Sequence, residues 1–114
     1  MKKITIYHNP RCSKSRGACL LLDENNPDYN IINYIDNPPT KAKLIALLKK
    51  LKMKPIDLIR TQEEEFKPYL GKKLSDEKLI SLMIAHPILI ERPIVVVGNK
   101  AVIARPPESL LELL

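Results

Sequence analysis

Aromatic residues make up only 4% of this chain, and they do not interleave with its basic residues. Nucleic-acid surfaces that stack bases need that combination, so nucleic acid is not the expected partner. Glycine is scarce, with 3 in 114 residues, which excludes a collagen-like repeat. A hydrophobic fraction of 45% excludes a disordered chain. No apolar run approaches the ~20 residues of a membrane span, so no membrane partner is expected. The first apolar run is short, alternating and followed by a turn, unlike a secretory h-region. Two cysteines in such a chain make no disulfide framework and imply a cytoplasmic, reduced setting. No Cys, His, Asp and Glu cluster has metal-ligand spacing, so no metal is expected. There is neither an internal repeat nor a low-complexity linker, and residues 1–114 read as a single domain.

The formal net charge is +6. Lysine dominates it, notably Lys41, Lys43, Lys49, Lys50, Lys52, Lys54, Lys72 and Lys73. Such a run is ordinarily a solvated helix face. A basic surface also draws in small anions and acidic protein partners.

Periodicity predicts a strand from Lys3 to His8 and a helix from Ser13 to about Asn25, with Ala18, Leu21, Leu22 and Cys19 on its inner stripe. A dense turn signal, Asn25–Asn26–Pro27–Asp28, precedes a second strand over Tyr29 to Ile35. Thr40 caps a helix through about Leu51, with Leu44, Ile45, Leu47, Leu48 and Leu51 inward. This spacing suggests a right-handed parallel βαβ unit. The middle is helical: a short helix opens at Pro55, another over Glu63 to Leu70 is weakened by Pro68, and a clearer one starts at Ser75 and ends at His86–Pro87. Pro93–Ile94–Val95–Val96–Val97 is continuous and apolar, as in a strand covered on both faces. Gly98–Asn99 signals a hairpin back through Ala101–Ala104, and Pro106–Pro107 opens a last helix. The sum is a thioredoxin-like α/β plan: a four-stranded mixed sheet flanked by helices, with a helical insertion at about 40–91.

The residues with most chemistry lie where the first strand meets the first helix. Cys12 stands at that helix N-terminus, where unpaired backbone N–H groups and the helix dipole favour thiolate over thiol. Arg11, Lys14 and Arg16 add positive charge nearby, and the same geometry cradles an oxyanion. The alternative for a free cysteine is a small buried filler; the basic neighbours favour a reactive one. Arg60, Arg92 and Arg105 differ from the lysine faces because each adjoins a structural break. A guanidinium binds tetrahedral oxyanions through paired hydrogen bonds that lysine does not reproduce. Taken singly, each arginine also fits an ordinary surface charge. Cys19 lies about two turns from Cys12, ~10 Å along the axis, beyond the Cα separation of a disulfide. It reads as core.

The segments Ile4 to Cys12 with Ser15–Arg16, Asp57–Leu58–Ile59–Arg60, His86 to Pro93, and Arg105–Pro106–Pro107–Glu108 together resemble the glutaredoxin-coupled arsenate reductases, the ArsC-type family. The resemblance covers essentially the whole length and implies a thioredoxin-like fold with a helical insertion. It implies that Cys12 is the nucleophile, that Arg60, Arg92 and Arg105 hold the oxyanion, and that His8 helps keep the thiol ionised, with Ser15 and Arg16 in support. Ser15 can donate to the thiolate or be a routine first-turn serine. Pro93 is implied to be the cis-proline before its strand. The implied reaction is attack of the Cys12 thiolate on arsenate, followed by glutathione as cosubstrate and glutaredoxin as partner, releasing arsenite. No bound cofactor is implied, and a monomer is the default.

Ser15 leaves no Cys-x-x-Cys pair, and Ala18 excludes the Cys-x5-Arg loop of phosphatase-like arsenate reductases. Spx-type regulators of RNA polymerase share the fold but use a Cys-x-x-Cys switch that this chain lacks. They are the alternative, with a family member acting on another oxyanion. The Val97–Gly98–Asn99–Lys100–Ala101 hairpin is tighter than the corresponding arm of the best-known family members.

Overall fold

Alternation produces the first strand. Ile4 and Ile6 are buried while Thr5 and Tyr7 are partly exposed, so one face of the segment is apolar. In the computed structural model, which describes residues 3–25 and 28–114, this segment is β1 (Ile4–His8). Helix α1 (Ser13–Asn25) buries Ser15, Ala18 and Leu22, a stripe spaced three and four residues apart. The second strand, β2 (Asn30–Asn33), is shorter than its apolar pattern suggested. Asn33 explains this: its Oδ1 accepts from the Ile35 N–H at 3.2 Å and its carbonyl accepts from the Asn37 N–H at 2.9 Å, which turns the chain. Tyr34, inside that turn, is buried.

The strands β3 (Ile94–Val97) and β4 (Lys100–Ile103) complete a four-stranded sheet of order β2-β1-β3-β4. β1 runs parallel to β2 and antiparallel to β3, and β3 runs antiparallel to β4. Every residue of β3 is buried, because the strand is interior to the sheet and has side chains on two covered faces. Gly98 takes a positive φ of 61° at the β3–β4 turn, a conformation open to glycine without a Cβ clash. The core joins Ile4, Ile6, Ala18, Leu22, Val95 and Leu110. Leu110 comes from the expected closing helix, Pro107–Leu113, which takes the 3-10 form. Its start packs closely on α1: a Cβ at Gly17 would lie 3.2 Å from Cγ of Pro107. The mixed sheet flanked by helices is the expected thioredoxin-like α/β class.

The chain forms two compact units, one up to Asn37 and again from Arg92, the other Pro38–Glu91. The second unit holds α2 (Lys41–Leu51), α3 (Pro55–Leu58) and α4 (Asp76–Ala85). Thr40 caps α2 and Ser75 caps α4, each hydroxyl accepting from the backbone N–H three residues on. Leu44, Leu47, Leu48, Leu79, Ile80, Leu82 and Met83 are buried, while Ile45 and Leu51 are half-buried. Residues Glu64–Tyr69 form a 3-10 helix containing Pro68, whose ring and missing N–H disfavour an α-helix interior. After α4 ends at His86, Ile59 and Ile90 pair in an isolated bridge.

Leu22 is fully buried in the sheet unit's core. Leu22→Ala is expected to destabilise the protein by about 2–5 kcal/mol. Urea unfolding at equilibrium checks this, and an unchanged midpoint would contradict the core assignment.

Candidate active site

The loop from β1 to α1 is held by hydrogen bonds that converge on one residue. The Asn9 carbonyl accepts from the Cys12 N–H at 3.0 Å, and Asn9 Oδ1 accepts from the Arg11 N–H at 3.0 Å. The Asn9 N–H donates to Ser15 Oγ at 3.3 Å. Both Asn9 and Ser15 are buried. From the helix side, the Arg16 N–H donates to the Cys12 carbonyl at 3.0 Å, and Arg16 Nη1 donates to the Pro10 carbonyl at 2.8 Å. Cys12 therefore occupies the N-cap of α1, the position where a side chain receives the first free N–H groups.

Its sulfur takes the place usually filled by a serine or aspartate oxygen. The backbone N–H groups of Ser15 and Lys14 donate to it, as does the Arg92 guanidinium. The first turn of α1 carries no acidic residue to compete for the positive helix end. Burial alone pushes the Cys12 thiol up; the Ser15 N–H, Arg92 and the Lys14 N–H outweigh burial, and the net shift is down. Ser15 contributes its backbone N–H to the sulfur, while its hydroxyl accepts from the Asn9 N–H.

Sheet register delivers Arg92. Tyr7 stands opposite Ile94, so the residues before Ile94 run alongside the end of β1 from which the Cys12 loop departs. The Arg92–Pro93 bond is cis, and so is Arg105–Pro106. The Pro93 carbonyl accepts from the Ala104 N–H at 2.9 Å, which sets exposed Arg105 at the same end of the sheet. Arg60 belongs to the second unit. There its Nε donates to Glu63 Oε1 and its Nη1 to Glu91 Oε1, each at 3.1 Å, so two of its donors serve carboxylates.

His8 faces the other cysteine. Its Nδ1 lies 3.7 Å from Sγ of Cys19. Burial, then the charge of Arg16, lowers the pKa of His8 and favours the neutral ring. Cys19 packs against the sheet unit's core. Burial and then the Asp23 carboxylate push its thiol up, only partly offset by the neighbouring Tyr29 hydroxyl. Tyr29 in turn donates to Asp23 Oδ1 at 2.7 Å. The sheet unit thus brings together Cys12, Ser15 and Arg92, with Arg16 locking the loop and Pro93 beside Arg92. Asn9 is the functional residue that sequence reasoning passed over, reading Asn-Pro only as a turn. Its signal was there: an asparagine commonly accepts from the N–H two residues on.

Among the described residues, no cluster of His, Cys, Asp and Glu suits a metal ion. No described helix is long and apolar enough to cross a membrane.

A family model described as the ArsC family matches residues 7–113. Among curated proteins, the chain is 45% identical to Escherichia coli (strain K12) "Uncharacterized protein YfgD", over 98% of this chain and 97% of the relative. It is 38% identical to "Arsenate reductase" of the same organism, over all of this chain and 82% of the relative. Among solved structures, "Arsenate reductase from Vibrio cholerae" superposes with a TM-score of 0.93 at 40% identity, covering 99% of this chain and 98% of that one.

The opposite shifts of the two thiols make a prediction. Alkylation proceeds through thiolate, so limiting iodoacetamide at neutral pH is expected to label Cys12 before Cys19. The Cys12 rate should also reach its plateau at lower pH, because its pKa is lowered and that of Cys19 raised. Asn9→Ala is expected to slow Cys12 labelling about fivefold, as for loss of a ~1 kcal/mol cap. Peptide mapping by mass spectrometry reads both effects; equal labelling of the two cysteines would refute the assignment.

Proposed function

We propose, from the premise that this chain belongs to the ArsC family, that it reduces arsenate to arsenite through the Cys12 thiolate. The observation that carries this reading is the sulfur at the α1 N-cap, ringed by the Ser15 and Lys14 N–H groups and the Arg92 guanidinium. The same donors that stabilise a thiolate also stabilise negative charge on an oxyanion as a bond to sulfur forms.

In this reading Cys12 attacks arsenic(V), an S–As bond forms and one arsenate oxygen leaves as water. The thiol of glutathione displaces a second oxygen as water. Glutaredoxin then attacks the glutathione sulfur: a mixed disulfide forms, the As–S(glutathione) bond breaks, and its electron pair stays on arsenic, now arsenic(III). Water hydrolyses the remaining S–As bond, regenerating Cys12 and releasing arsenite. Two thiols are oxidised, arsenic gains two electrons, and one oxygen is lost overall.

External thiols suit this chain because Cys19 is held as a neutral thiol against His8 and the core. Arg92 contacts the sulfur directly, and Arg105, at the same end of the sheet, is its proposed partner in holding the oxyanion. A reaction that consumes glutathione thiols belongs in the reduced cytoplasm. The proposed working form is a monomer with no bound cofactor.

Arsenate-dependent NADPH oxidation, coupled through glutathione, glutaredoxin and glutathione reductase, tests the reading. Wild type is expected to turn over and Cys12→Ser to show none. Arg92→Lys keeps the charge but loses the planar fork, and should lower kcat/KM about 10²-fold. An inactive wild type, or turnover by Cys12→Ser, would overturn it.

A further inference from the structure

The lysine-rich second unit carries two cavities that the proposed chemistry does not use. The first, about 490 Å³, is floored by Ile45, Leu48, Met53 and Ile80. Lys49, Lys52 and Lys54 line it as well. The second, about 340 Å³, is lined by Ile56, Leu74 and Leu79, with Lys72 and Lys73. Asp76 lines both, so they lie on either side of one residue at the start of α4. Both are open depressions of a size that admits apolar side chains.

The shape is built into the backbone. Lys52 takes a left-handed conformation, φ 57°, at the end of α2, and its N–H and that of Met53 return to the Lys49 and Leu48 carbonyls at 3.2 and 3.1 Å. This closed helix end holds Met53 and Lys54 against the cleft. Ile56, on the wall of the second cavity, is 50% exposed and offers apolar surface that an occupant would cover.

Charge identifies the kind of occupant. Two lysines of this unit away from the cavities are paired, Lys41 with Glu77 at 3.0 Å and Lys67 with Glu64 at 2.7 Å. Among the described residues, none of Lys49, Lys52, Lys54, Lys72 and Lys73 forms an ion pair. Asp76 is the one carboxylate lining the cavities, and it sits in the first turn of α4, where the helix dipole favours it. The cleft is therefore apolar at its floor and strongly positive at its rim. Nucleic acid fits it poorly: Phe66 is buried, and the Tyr69 ring already lies under the Lys78 ammonium at 5.5 Å.

We propose that this face of the second unit docks an acidic amphipathic segment of a partner protein. Apolar side chains on one face of the segment enter the two cavities, and its flanking carboxylates meet the lysine rim.

A synthetic helical peptide with leucines on one face and glutamates beside them probes this against the full chain. Its Glu→Gln counterpart, a single-stranded oligonucleotide and phosphatidylserine vesicles are titrated in parallel. The acidic peptide is expected to bind with salt-dependent affinity and to shift backbone amide resonances of residues 45–54 and 72–80. The Glu→Gln peptide should bind about tenfold more weakly, as should the acidic peptide with a Lys54→Glu, Lys72→Glu, Lys73→Glu protein. Ile56→Ser leaves charge untouched and should weaken binding severalfold, which separates insertion from bare electrostatics. Circular dichroism melts confirm that the variants fold. The proposal is overturned if the acidic peptide fails to bind, if the charge-reversed protein binds it equally, if Ile56→Ser has no effect, or if oligonucleotide or vesicles occupy this face in its place.

Discussion

The structure of the site depends on one substitution of roles: a cysteine sulfur stands where a helix cap usually has an oxygen. The free N–H groups of the first turn of α1 point to Cys12 because the loop before it is fastened at Asn9 and at Arg16. A helix start without such a partner leaves donors unsatisfied, so the fold itself favours a negative charge there. Arg92 adds a guanidinium from the sheet, and the charge of the thiolate is shared between backbone and side chain.

The two cysteines show how little sequence distance is needed to separate chemistry from packing. One turn of loop places Cys12 among donors; two helical turns on, Cys19 meets burial, the Asp23 carboxylate and a neutral His8. The linkage to stability has opposite signs at the two thiols. Ionisation of Cys12 stabilises the folded state above the ordinary thiol pKa, and that contribution is lost as pH falls through its lowered value. Ionisation of Cys19 works against folding at high pH, because the folded state resists charging it.

Much of the fold was legible because the signals were strong and local. Ile4 and Ile6 alternate, Thr40 and Ser75 cap, Val95 and its neighbours form an unbroken apolar run, and Gly98 turns the hairpin. The misses have physical causes. Asn33 ends β2 through its own side chain, which a count of β-branched residues does not register. The closing segment is the expected helix in the 3-10 form, which its leucine content does not distinguish from an α-helix. At the site, the position of Cys12 was readable from a turn followed by a helix. The partnership of His8 with Cys19, and the donation by the Ser15 backbone N–H, depend on local geometry that spacing does not encode. Asn9 went unread because its contribution is made mostly through backbone atoms.

A direct titration of Cys12, followed by the ultraviolet absorbance of its thiolate in a Cys19→Ala background, tests the central claim. With the Ser15 and Lys14 N–H groups and Arg92 donating to the sulfur, the midpoint lies below that of an ordinary thiol, and it rises in an Arg92→Gln protein. A midpoint at or above the ordinary thiol value would mean that burial wins, and that the α1 N-terminus does not hold a thiolate.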